Sequence, residues 1–188
     1  MRLELQHAAR KETKRLFKKQ RAKRAEEILR RAKKDFAALK TDGGDWEVIG
    51  RGVERAYEGG RAAYESALMN RSAEHFHEWR KAAKDLWYEV TMLAHVAPEP
   101  MAAMASELED LGETLGDDHD FFLLQCWIDE QKRKPAKQFA LLQQLIEDRQ
   151  RDLRTCALDI GKHFYNEDPS AFGARIEHYW NAWRGEKL

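Results

Sequence analysis

Little in this sequence opposes helix formation. Its 188 residues hold only 4 Pro and 11 Gly, the two residue types that most disfavour a helix interior. No stretch alternates apolar and polar residues long enough to read as a strand, which sets sheet folds aside. No run of about 18 apolar residues occurs, so no membrane-crossing helix is expected. The opening residues, MRLELQHAARKETKR, are polar and basic with no apolar centre, unlike a secretory signal. Two cysteines, Cys126 and Cys156, are too few for a disulfide framework and suit a reduced, cytoplasmic setting. Gly-rich phosphate loops, zinc-type Cys spacings and Ser-His-Asp cues are missing as well. Neither a catalytic residue nor a cofactor or metal site is expected.

What is present is charge and helix formers. Charged residues make up 35% of the chain and hydrophobic ones 43%, with Ala, Leu, Glu, Lys and Arg dominant. The formal net charge of zero hides a dipole. Residues 1–40 hold 15 Lys/Arg against 5 Asp/Glu, a net of +10, and the rest carries −10. Residues 97–120 contain 8 acids and no Lys or Arg. A basic end suits an anionic partner, or the acidic part of its own chain.

Periodicity predicts a long helix over 3–40, amphipathic in its second half through Ala25, Ile28, Leu29, Ala32, Phe36 and Leu39. The stretch TDGGD (41–45) breaks it. A helix over 46–69 follows, in which Gly50, Gly52, Gly59 and Gly60 suggest close helix approach or a kink. Ser72 is placed to cap the next helix, which runs to about His95 and stops at APEP (97–100). Further helices are expected over 100–114, 119–133 and 135–165, with LGDDHD (115–120) as a turn and Asp118 as a cap. After NEDPSAFG (166–173) a last helix ends near Trp183. The fold class is all-α, an antiparallel bundle of about seven helices. Residues 1–45 form a basic N-terminal helix and 46–188 the bundle proper.

The stretch HEWRKAAK (77–84) carries the chemistry. At 100° per residue, His77, Arg80, Lys81, Lys84 and Tyr88 fall within about 100° of arc, opposite Trp79, Ala83, Leu86, Val90 and Leu93. A solvated basic face over an apolar one explains this spacing without any ligand. Against that stand the shortage of acids for i,i+4 pairing and the histidine, a poor choice for solubility alone. Arg supplies a planar fork for phosphate oxygens and Lys a mobile point charge.

Three ordered motifs surround this helix: YEGGRAAYESAL (57–68), EHFHEWRKAAKDLWYEVTML (74–93) and LEDLGETLGDDHDFFLL (108–124). Together, as Y-x-x-G-R, H-x-x-R-K-x-x-K and L-G-x-x-x-D over roughly residues 46–165, they resemble the CHAD domain, the conserved histidine α-helical domain. The resemblance implies an all-helical protein built as two pseudo-symmetric bundles. It implies binding of inorganic polyphosphate on a basic surface and central pore, without catalysis. Many such domains sit beside a CYTH-type triphosphatase domain or on polyphosphate granules, which makes those proteins the implied partners. The matched binding positions are His77, Arg80, Lys81 and Lys84, with Arg61 from the tyrosine motif. Arg55 lies nearby on the same helix, and Asp120 matches the acid of the turn motif in a structural role.

A looser echo, HAARKETK (7–14), offers His7, Arg10, Lys11 and Lys14. It lies only 70 residues upstream, where family members separate their two basic motifs by well over a hundred. Either the first half is shortened or the echo is a coincidence of a Lys/Arg-rich helix. Pairing of two half-domains in a homodimer would rebuild a shared basic surface.

Two rivals differ in class. Basic residues over 10–34, with Trp79, Trp87, Trp127, Trp180 and Trp183 as stacking platforms, read as a nucleic-acid-binding module. Core packing competes for those indoles, above all for Trp79 on the apolar face. His95 with His119–Asp120 reads as a metal-dependent phosphohydrolase of the HD type. Helix capping and the helix dipole explain the same aspartates without metal.

Overall fold

The computed structural model describes residues 10, 13, 19–38, 45–130 and 136–185. It divides into two compact units, Met1–Asp42 and Gly43–Leu188. All regular structure among the described residues is helical. None of those helices is long and apolar enough to cross a membrane.

In the first unit, α1 spans Lys19–Ala38, and Arg10 and Thr13 are helical as well. Viewed down the axis of α1, Ala22, Ala25, Ile28, Leu29 and Ala32 occupy about 120° of arc. Lys and Arg fill most of the remainder. The stripe is uncovered: Ile28 and Leu29 are 60% and 70% exposed. Of the upstream echo, Arg10 is exposed, and His7, Lys11 and Lys14 lie outside the described residues.

The second unit holds α2 (Asp45–Met69), α3 (Ala73–Met92), α4 (Pro98–Glu130), α5 (Ala136–Phe164) and α6 (Pro169–Gly185). Helices α2 to α5 pack in chain order, each against the next, and α6 lies on α2. Ser72 caps α3 as its sequence position predicts, its Oγ accepting the His75 N–H at 3.4 Å. Pro98 opens α4, where its missing N–H costs nothing.

The core is aromatic and centred on α3. Phe76, Trp79, Ala83, Leu86 and Val90 are buried along one face of that helix, the face that periodicity assigned. Trp79 has no exposed surface and meets Tyr64 of α2 at 5.3 Å between ring centroids. Small residues make room for these rings. A Cβ on Gly161 of α5 would stand 2.5 Å from the Trp79 ring and 2.7 Å from that of Tyr64. A Cβ on Gly60 would stand 2.6 Å from the Tyr165 hydroxyl. Of the four α2 glycines, Gly60 serves close approach, Gly50 leaves room for the Trp46 ring of its own helix, and Gly59 faces open space.

One expectation is corrected. The described residues form six helices, because 98–130 is a single α4 with no turn at 115–120. The Asp-rich stretch with a glycine imitates a turn. In the structure, Leu111, Leu115 and Asp118 line the buried side of one continuous helix. Asp118 caps nothing. It is 2% exposed and accepts hydrogen bonds from Arg154 Nε at 2.8 Å and Gln150 Nε2 at 3.2 Å, both on α5. Partners that arrive from α5, 32 and 36 residues away, leave no local trace at Asp118.

Overpacking governs the substitution at Gly161. Gly161→Ala should lower stability by about 1–3 kcal/mol, read by urea denaturation, despite the better helix propensity of alanine. An unchanged or raised midpoint would show that Trp79 is not tightly seated.

Candidate functional site

With its apolar face fixed in the core, α3 turns His77, Arg80, Lys81 and Lys84 towards its outer side. Two of the four line a groove against α4. This groove has a volume of about 550 Å³. Arg80, Lys84, Trp87 and Tyr88 form one wall, and Glu109, Glu113, Asp117 and Asp120 stand on the other beside Gly112 and Gly116.

Arg80 lies across Gly116. A Cβ there would sit 3.4 Å from Arg80 Nε and 3.6 Å from Nη2, so the motif glycine is the surface over which the guanidinium lies. Arg80 Nε is buried and has no hydrogen-bond partner among the described residues. Such a donor is costly unless something accepts from it. His77 Nδ1 is in the same condition. The His77 ring stacks on His119 of α4 at 4.5 Å between centroids, 27° from parallel.

Lys81 is set apart. It is exposed and binds Glu78 on its own helix at 2.9 Å. That hydrogen bond, aided by the ammonium charge, holds the Glu78 carboxyl below the usual carboxylate range.

Arg61 and Arg55 also lie apart from the groove lining. Arg61 donates to the backbone oxygen of Glu167 at 3.1 Å and pairs with Glu65 at 3.2 Å. The Tyr57 hydroxyl lies 3.1 Å from the Phe164 oxygen, 3.2 Å from the Glu167 oxygen and 3.2 Å from the Glu167 nitrogen. Gly60 adds the space for Tyr165. The Y-x-x-G-R motif is thus a clasp on the turn between α5 and α6. Arg55 Nε donates to the Arg51 oxygen, and its charge acts on Glu89. Burial first, then Asp85, raises the Glu89 carboxyl above its ordinary value, and Arg55 works against both.

Asp120 lines the groove, while Asp118 performs the orienting role expected of a motif acid, holding Arg154. Arg154 Nη1 also donates to the Arg71 oxygen at 3.0 Å, and the guanidinium covers the Phe76 ring at 5.0 Å. The Asp118–Arg154 pair therefore ties α4 and α5 to the residues just before α3. His119 escaped the expected binding set. Its signal is an imidazole four residues after the motif Leu115, hence on the face of α4 that meets α3, and the sequence places it only in the HD alternative.

The structure does not assemble the HD constellation. His119 stacks on His77, whereas His95 lies beyond the other end of α3 against Trp183. That is roughly 20 Å of helix away. No group of three or more His, Cys, Asp or Glu among the described residues is arranged to hold a metal. Of the indoles, Trp79 is core, Trp180 is nearly buried against Trp46 and Trp183, and Trp87 borders the groove. A cleft of about 660 Å³ between α4 and α5 is lined by Glu107, Asp110, Asp152 and Asp159 against a single arginine, Arg151, a poor setting for an anion.

The family model of the CHAD domain matches residues 1–129. This is more than two thirds of the chain, and the protein belongs to the CHAD domain family. The match takes in the basic N-terminal segment as well as the three motifs. No curated protein and no solved structure matches the chain.

Removing the Asp118 carboxylate strands a part-buried guanidinium. Asp118→Ala should cost about 2–4 kcal/mol, read by chemical denaturation, against less than about 1 kcal/mol for Asp148→Ala, which breaks the exposed pair with Arg151.

Proposed function

We propose that this protein binds inorganic polyphosphate, or a polyanion of the same chemistry, along the outer face of α3 and does not turn it over. The CHAD family is linked with polyphosphate binding in general. The observation that carries the reading to particular atoms is Arg80 Nε, a buried cationic donor at the groove without an acceptor among the described residues. A phosphate oxygen completes it with a charge-assisted hydrogen bond. Lys84 adds charge beside it and His77 a second ring nitrogen. Long chains bind through counterion release, so affinity falls steeply with salt.

The opposite wall sets a condition. Four carboxylates face two cations across this groove, so a phosphate chain is held on the α3 side. Arg80 matters more than Lys81, whose charge Glu78 already offsets. Arg80→Ala and Lys84→Ala should each weaken polyphosphate binding by about tenfold, and Lys81→Ala by about twofold or less. Asp117→Asn and Asp120→Asn should each tighten it about twofold at low salt. Isothermal titration with a defined chain length measures all five. Equal losses at Arg80, Lys81 and Lys84, with no gain at the aspartates, would mean that the groove is not the site.

Single-stranded nucleic acid is the rival with an observation behind it. Trp87 and Tyr88 border the same groove, and Tyr88 is 54% exposed, which suits base stacking. Competition between polyphosphate and an oligonucleotide separates the two. Tyr88→Ala should leave polyphosphate affinity within about twofold and would abolish a stacking contribution worth about 1–3 kcal/mol per base.

A further inference from the structure

Among the described residues, five buried side-chain polar atoms have no hydrogen-bond partner. Two of them, Trp79 Nε1 and the Tyr165 hydroxyl, belong to rings that lie together in the core. The other three, His77 Nδ1, Arg80 Nε and Trp87 Nε1, all stand on α3. Arg80 and Trp87 are almost two full turns apart and project within about 20° of each other. Both line the groove against α4.

Helix register carries this flank along α4. His77 stacks on His119, and Arg80 lies over Gly116. In an antiparallel pair the same register sets Lys84 opposite Gly112, and Trp87 near Leu108 and Glu109, all of which line the groove. A Cβ on Gly112 would meet nothing within 4 Å, unlike one on Gly116. From Arg80 to Trp87 the groove therefore runs about 10 Å, open over the bare backbone of α4 at Gly112.

Trp87 Nε1 differs in kind from the cations beside it. An indole N–H only donates, and a buried one is normally partnered. Glu109 and Glu113 stand on the facing wall. They would draw a lysine or arginine at this position into an ion pair. The indole has no charge to pair, so its proton is left for an acceptor from outside.

We propose that Trp87 Nε1–H is a second ligand donor of this groove, binding a phosphate oxygen about two turns from Arg80 while the chain between them crosses Gly112. The inference rests on the polyphosphate reading above and adds an uncharged contact to it. One extended chain is then held at two points.

Trp87→Phe keeps an aromatic ring in place and removes the donor. Isothermal titration with polyphosphate of defined length should show about fivefold weaker binding, with the thermal midpoint unchanged. The slope of log affinity against log salt should match that of the wild type, because an uncharged donor releases no counterion. Arg80→Ala should instead make the slope shallower by about one. In proton–nitrogen spectra the Trp87 indole resonance, assigned by its loss in Trp87→Phe, should move downfield as polyphosphate is added, and the Trp79 indole should stay in place. Gly112→Leu, which fills the groove from open space, should weaken binding at least as much as Trp87→Phe without lowering the midpoint. An unmoved Trp87 resonance at saturation, or wild-type affinity in Trp87→Phe or Gly112→Leu, overturns the proposal even where Arg80→Ala still weakens binding. If Arg80→Ala is equally without effect, or the wild type binds no polyphosphate, the groove reading itself has failed and this inference with it.

Discussion

Trp79 exposes none of its surface. Gly161 of α5 leaves the hollow that its indole enters, and Tyr64 and Tyr165 stand beside the ring. Burial of such a side chain contributes about 4–6 kcal/mol. Its more specific effect is to fix the rotation of α3 about its own axis. With Trp79 inward, His77, Arg80 and Lys84 have one direction left, and it opens onto α4. The glycines at 161 and 116 make matching contributions on opposite sides of this helix: one seats the indole and the other supports the guanidinium.

Electrostatics then gives the groove its asymmetry. The chain keeps its acids and bases apart along the sequence, and the acidic run over 97–120 forms α4, the wall opposite the basic stripe. Carboxylates so placed lower the energy of Arg80 and Lys84 while the groove is empty, and they repel an incoming phosphate chain. Affinity is a difference between these terms. A binder built this way favours ligands with many charges, because a long polyanion gathers contacts and releases counterions beyond the groove while the repulsion from α4 stays fixed. The net charge of +10 over residues 1–40 raises attraction for the same class of ligand.

Much of this was legible before any coordinates. The inward face of α3 follows from period 3.6, and Phe76, Trp79, Ala83, Leu86 and Val90 occupy it. The cap at Ser72 follows from residue chemistry alone. What escaped depends on partners distant in sequence. LGDDHD looks like a turn because its aspartates and glycine are turn formers, and only α5, through Arg154 and Gln150, makes Asp118 acceptable inside a helix. Arg61 entered the expected binding set only through the family resemblance of the Tyr57–Arg61 motif. Its hydrogen bond to Glu167, and those of Tyr57 to Phe164 and Glu167, come from more than a hundred residues on and leave no trace in the motif itself. His119 shows the reverse: its imidazole was seen, but its stacking mate was not.

The central claim concerns one buried donor, and side-chain NMR addresses it directly. The Arg80 Nε–H resonance can be assigned by its loss in Arg80→Lys and followed as polyphosphate of defined length is added. The account predicts that this resonance moves downfield and saturates together with total binding, as expected for a donor that gains a phosphate acceptor. Full binding with an unmoved Arg80 Nε–H, and shifts confined to residues 1–40, would contradict it.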